Sequence, residues 1–157
     1  MFRPGDDPTL LAPDAVAQVL ARVDAAVQVW SRDRRERGEP APDLAIVFGS
    51  FGCTPPRARA ASDVDLAVGG DRPLSFLDRL DLAVHVGEAT GREVDVIDLA
   101  ETHGPLLYAA LCGKVLHESG VTRRAMHLSR HWIEEEDFGR TRDAMLAARR
   151  AMWLGAT

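Results

Sequence analysis

Leu44-Ala45-Ile46-Val47-Phe48-Gly49-Ser50 and, after a loop, Ser62-Asp63-Val64-Asp65-Leu66-Ala67-Val68 decide how this chain reads. The first run is apolar, rich in β-branched and aromatic residues, and stops at a glycine. That pattern predicts a buried strand ending in a tight turn. The second run opens with two aspartates spaced i, i+2. On a strand such residues share a face, so two carboxylates stand side by side, roughly 7 Å apart along the backbone. Like charges at that spacing repel and call for a cation or a shared proton. A hard divalent cation such as Mg2+, held by a few carboxylates and substrate phosphates, answers that need.

A third acid lies in Arg92-Glu93-Val94-Asp95-Val96-Ile97-Asp98, which reads as another short strand. Glu93, Asp95 and Ile97 share one face, and Asp98 points to the other. Asp95 interrupts an apolar run, where an unpaired charge is expensive. If this strand lies beside the Asp63/Asp65 strand, three carboxylates can converge on one or two metal ions. Glu93 and Asp98 compete for the third place, and Asp98 also reads as a cap at the strand end. Gly49 lets the chain turn sharply and a ligand approach the backbone. Ser50 offers its hydroxyl and N–H to phosphate oxygens.

Gly49-Ser50, then Asp63-x-Asp65, then one aspartate on a later strand resembles the nucleotidyltransferase superfamily related to polymerase β. More narrowly, the pattern resembles the minimal nucleotidyltransferases (MNT), the MntA-like antitoxins paired with HEPN toxins. The motifs span roughly residues 44–100. One departure stands out: the family's Gly-Ser-x-Ala-Arg-Gly segment is absent, and the link to the aspartates is longer. Arg57 and Arg59 are the only basic side chains in that link. The resemblance implies an α/β (α+β) fold, a small mixed sheet flanked by helices with a helical C-terminal part. It implies Asp63, Asp65 and Asp95 as catalytic residues holding two Mg2+ ions, Asp95 being preferred because it matches the family position. It implies that Gly49 and Ser50, with at least one of Arg57 and Arg59, grip the triphosphate of ATP. It also implies transfer of AMP to a tyrosine of a cognate HEPN ribonuclease. Two alternatives stay open. One is a small-molecule nucleotidyltransferase of the aminoglycoside-modifying kind, which usually needs more chain to build its pocket. The other is an inactive MNT antitoxin that neutralises its toxin by binding alone.

Length and composition set the outer bounds. A chain of 157 residues fits one domain, with a core over about 14–119 and C-terminal helices over about 121–154. No apolar run approaches the roughly 18 residues of a membrane span, and no signal-peptide core follows Met1. Cys53 and Cys112 form no disulfide framework, so the expected setting is cytoplasmic. A net charge of −5 argues against direct nucleic-acid binding. Lys114 is the only lysine; the abundant arginines suit bidentate contacts to phosphate or carboxylate.

The remaining elements follow from periodicity and breakers. Residues 1–12 read as a leader. A helix opens at Pro13-Asp14, carries Val16, Val19, Leu20, Val23, Val27 and Trp30 at helical spacing, and ends at Gly38. Its charged run, Arg32 to Arg37, reads as a solvated end. A helix from about Pro73 presents Phe76, Leu77, Leu80, Val84 and Gly87 on one face, and a helix followed by a strand implies a parallel crossover. A helix after His103-Gly104-Pro105 buries Leu106, Leu107, Ala110 and Leu111 and holds Tyr108 in a buried setting. Val115–Glu118 reads as a strand. From Thr122 the chain is helical, with a break near Gly139. Met126, Ser129, Trp132 and Ile133 form one stripe, and Phe138, Met145, Met152 and Trp153 another, as core or interface. His127 and His131 have a zinc-compatible i, i+4 spacing, but no Glu between them and no third ligand nearby, so they read as structural. Trp132, Trp153 and the arginines from Arg140 to Arg150 are candidate docking residues for a protein acceptor.

Overall fold

Pro13 begins the first helix, where its missing N–H costs nothing, and the helix runs to Glu36 (α1, Pro13–Glu36). The computed structural model describes residues 9–120, 122–153 and 155, with the Trp153 side chain outside the description. Residues 1–8 of the expected leader likewise lie outside the described residues. After α1 come β1 (Pro42–Phe48), α2 (Gly49–Gly52), β2 (Val64–Gly70), α3 (Phe76–Thr90), β3 (Val94–Asp98), α4 (Gly104–Leu111), β4 (Lys114–Glu118) and α5 (Thr122–Trp153).

The strands form one sheet in the order β3-β2-β1-β4. β1 is antiparallel to both β2 and β4. β2 and β3 are parallel, as the helical crossover through α3 predicts. Side-chain alternation splits the core in two. Ala45, Val47, Leu66 and Val68 face α1 and α3, where Val23, Val27, Trp30, Leu82 and Val86 are buried. Leu44, Ile46 and Ala67 face Leu107, Ala110 and Leu111 of α4. Both faces of β1 and β2 are covered, which is why these strands read as continuous apolar runs. The expected small mixed sheet with flanking helices and a helical C-terminal part is the observed architecture.

Arginines dock α5 onto the body. Arg123 pairs with Asp43 and donates to the Gly70 carbonyl at 3.0 Å. Arg124 donates to the Leu111 carbonyl at 2.7 Å, at the C-terminal end of α4. Arg130 donates to the carbonyls of Leu99, Ala100 and Thr102. Carbonyls left without helical or ladder partners thus find guanidinium donors.

Several expectations are corrected. On α3, Phe76, Leu77, Leu80 and Val84 are exposed, and Leu82 and Val86 are buried instead. The reason is polar: Asp78 pairs with Arg34 at 2.9 Å, and Asp81 accepts from Trp30 Nε1 at 2.7 Å. Those two contacts turn the acidic side of α3 towards α1. Arg34 is therefore no solvated helix end; it is buried, donates to the Pro40 carbonyl at 2.7 Å and stacks on Trp30. On α4, Leu106 and Tyr108 are exposed, because the helix buries only its Leu107/Ala110/Leu111 side against the sheet. α5 continues through Gly139 without a break. Its large apolar residues Met126, Trp132, Ile133, Phe138, Met145 and Met152 are exposed in the single chain, so none of them is core.

Candidate active site

β1 delivers the chain to Phe48, and Gly49 then adopts a positive φ of 66°. That conformation opens α2, so the expected Gly-Ser turn is the first turn of a short helix. Phe48 is paired with Asp65 across the sheet. A Cβ on Gly49 would stand 2.2 Å from Asp65 Oδ2, so the glycine is required twice, by its backbone angle and by the carboxylate against it. Gly49→Ala is expected to cut activity at least about tenfold while costing about 1–2 kcal/mol in a urea titration, since Ala at positive φ is strained.

Asp65 and Asp95 are direct partners in the parallel β2–β3 ladder. Adjacent strands lie about 4.8 Å apart, so two carboxylates leave the same face as neighbours. Asp63 precedes β2 by one residue and is exposed. Burial pushes the Asp65 carboxyl above its ordinary value, and the charges of Asp95 and then Asp63 push it further. All three acids are thus electrostatic neighbours. As the side chains stand they do not converge: among the described residues no three His, Cys, Asp or Glu side chains form a group that could hold a metal ion. The His127/His131 pair is part of no such group either. The donor set nonetheless suits a hard divalent cation, being all carboxylate oxygen, and a cation would relieve the excess negative charge that lifts Asp65.

The other acids are separated from this site. Asp98 is buried, at the far end of β3, and accepts from the N–H groups of Leu74 and Ala100, both at 2.8 Å. It is the cap that its opposite facing suggests. Glu93 lies just before β3, exposed, and lends its backbone carbonyl to the Val64 N–H at 2.9 Å.

The two candidate arginines part company. The Arg57 N–H donates to the Ser50 carbonyl at 2.8 Å, so Arg57 stands beside α2 with an exposed side chain. Arg59 bridges to Leu10 in the chain's first described segment, and its N–H donates to Ser62 Oγ at 2.8 Å. A residue that sequence reasoning missed fixes this loop. Arg92 donates to the carbonyls of Ala60 at 2.8 Å and Ser62 at 3.0 Å, reaches that of Arg59 at 3.3 Å, and lies over the Phe51 ring. It ties the approach to Asp63 to the root of β3. The only signal in the sequence is a lone basic residue just before the acidic strand. The hollow between α1 and the sheet, lined by Ser31, Arg35, Leu44 and His117 among others, shares no residue with this cluster.

A model of the polymerase β nucleotidyltransferase family matches residues 36–120. No curated protein matches the chain. Among solved structures, a chain of a toxin–antitoxin crystal structure with AMP-PNP superposes with a TM-score of 0.64 at 22% identity, over 82% of this chain and 98% of that one. A chain of the MntA–HepT toxin–antitoxin structure gives 0.59 at 21% identity, over 82% and 97%. A chain from the complex of tri-AMPylated Shewanella oneidensis HEPN toxin with MNT antitoxin gives 0.60 at 20% identity, over 84% and 99%. The likeness in fold thus extends over nearly the whole of each neighbour. The family match covers more than half of the chain, from the end of α1 through β4 and so across the Gly-Ser turn and all three aspartates, and by it the chain belongs to the polymerase β nucleotidyltransferase family.

Proposed function

We propose that this chain is a Mg2+-dependent protein adenylyltransferase, an antitoxin that moves AMP from ATP to a tyrosine hydroxyl of a HEPN-type toxin. The observation that carries the reading is Asp65, pressed against Gly49 on one side and registered with Asp95 on the other. The neighbours crystallised as toxin–antitoxin pairs, one with AMP-PNP and one an MNT antitoxin with an AMPylated HEPN toxin, lend support for nucleotide and partner.

Asp63, Asp65 and Asp95 are the residues that would hold Mg2+, which when bound neutralises triphosphate charge and stabilises the entering and leaving oxygens of an in-line displacement. The chain's own part is positioning, which carries most of the catalysis in phosphoryl transfer. Gly49 lets the triphosphate reach the backbone, and the Ser50 hydroxyl and N–H donate to its oxygens. Arg57 pairs with a phosphate oxygen from the flank of α2. The phenolic oxygen forms a bond to the α-phosphorus as the bond to the β-phosphate breaks, and pyrophosphate leaves. In this reading Asp95, the exposed member of the in-register pair, receives the phenolic proton. Trp132, exposed and edge-on to Tyr108, offers an aromatic anchor for the partner.

The test incubates the purified chain with ATP, Mg2+ and the protein encoded by the adjacent gene, and weighs that protein. An AMP-sized gain on a tyrosine is expected, and it disappears with Asp63→Asn. A stable complex without mass change would favour neutralisation by binding alone; no complex would favour a small-molecule acceptor. Arg57→Ala is expected to raise the KM for ATP about tenfold, the worth of one charge-assisted contact, and Arg59→Ala to change it less than threefold. Steady-state kinetics on the two variants decides between them.

A further inference from the structure

α5 has 32 residues, a rod of about 48 Å, and only its first part lies on the body. Among the described residues the last hydrogen bond from α5 to the body is Glu134 with the His103 ring at the α4 N-cap, 3.1 Å. From Glu135 to Met152 every residue but Gly139 is exposed. Most helical stability in proteins comes from packing an apolar face, and a glycine inside the overhang lowers its own propensity further.

The sequence of the overhang indicates what packs against it. Counting in sevens from the buried His131 gives Phe138, Met145 and Met152, exposed at 63, 69 and 81%. The column that packs against α4 therefore runs on past the body as an apolar ridge. Three residues after Phe138 and Met145 come Thr141 and Ala148, both small. A heptad alternation of large and small residues is a helix-pairing seam. The charges along the same stretch are Glu134-Glu135-Glu136-Asp137 at its start, Arg140, Arg142 and Asp143 in its middle, where Arg140 pairs with Glu136, and Arg149-Arg150 near its end. Among the described residues Glu135, Arg149 and Arg150 have no charged partner.

We propose that α5 beyond Glu134 pairs, antiparallel, with the same segment of a second copy of this chain. Antiparallel pairing sets Phe138 against Ala148 of the second copy and Met145 against its Thr141, large into small in each layer. It also brings each acidic run to the other copy's Arg149-Arg150, twice by symmetry. A parallel pair would stack the acidic runs on each other, which is unfavourable. In that register Asp143 meets its own counterpart at the two-fold axis, with the Arg142 guanidinium of the same chain 3.4 Å away to offset its charge. The interface is independent of the transfer chemistry.

Light scattering during gel filtration of the full chain alone tests this. A mass of twice 17.1 kDa is expected at micromolar concentration. Met145→Glu and, separately, Arg149→Glu with Arg150→Glu should each weaken the dimer at least a hundredfold, with thermal melting of the body retained because these side chains do not touch it. Adding Glu135→Arg and Glu136→Arg to the arginine pair should restore the dimer. A monomeric parent chain overturns the proposal, as does a dimer indifferent to both sets of variants. A monomer that captures a HEPN-type protein through Met145 would give this face to that partner and overturn it equally.

Discussion

Asp65→Asn is expected to lower transfer at least about 10^2- to 10^3-fold, the usual effect of losing a charge-stabilising group from such a site, while the variant melts no lower than the parent. The second half of that statement comes from electrostatics. Burial first, then Asp95 and Asp63, raise the Asp65 carboxyl above its ordinary value. An acid whose folded value lies above its unfolded one holds more protons in the folded state between the two. Stability therefore falls as pH rises from about 4 through the raised value, and at neutral pH an ionised Asp65 works against folding. Asparagine keeps the shape and removes the charge. In metal-free buffer at pH 7 the variant should melt at or above the parent temperature, and the gap should narrow as pH falls through the raised value and be closed by about pH 4. Added Mg2+ should raise the parent's melting temperature and leave the variant's nearly unchanged. Differential scanning fluorimetry across pH, with and without Mg2+, reads all of this. Near-normal turnover, or a melting temperature well below the parent's, would remove Asp65 from the centre of the mechanism.

That cost explains why a candidate site could be read in the sequence at all. Charges packed beside a strand are a local inconsistency, and a chain keeps such inconsistencies where function needs them. Asp63-x-Asp65 beside Gly49-Ser50 signalled the candidate site for that reason. The parallel pairing of β2 with β3 was legible because a helix between two strands leaves few other connections. Asp98 separated from Asp95 by alternation alone. What failed were decisions about direction. Phe76, Leu77, Leu80 and Val84 make a good stripe, yet α3 turns it outward because Asp78 and Asp81 find Arg34 and Trp30. Periodicity locates a stripe and says nothing of which stripe meets the sheet. Arg34, in a run of charges, looked solvated; its partners lie on another helix and on the Pro40 carbonyl. Arg92 is invisible for the same reason, since its three carbonyl acceptors belong to a loop distant in sequence. Leu106, Tyr108 and the stripes of α5 are exposed because the single chain holds too little body to cover them.

Asp95→Asn and Asp98→Asn should separate cleanly, and the separation checks the register on which the site rests. Asp95 is exposed and in register with Asp65. Its replacement should cost transfer about 10^2-fold or more and leave stability within about 0.5 kcal/mol, as for most surface changes. Asp98 is 2% exposed, and its two carboxylate oxygens each accept a backbone N–H, from Leu74 at the approach to α3 and from Ala100 in the turn after β3. An asparagine there supplies one acceptor and turns an amide donor towards the other N–H, so one buried donor loses its partner and meets a second donor. The cost is about 2–4 kcal/mol, a charged hydrogen bond lost plus an unsatisfied group. The folded fraction of Asp98→Asn should still transfer AMP at close to the parent rate. Urea titration and transfer assays on both variants, with rates normalised to folded protein, give the four numbers. If Asp98→Asn proves stable and inactive while Asp95→Asn stays active, β3 is displaced by an odd number of residues against β2, and the third carboxylate of the site is Asp98.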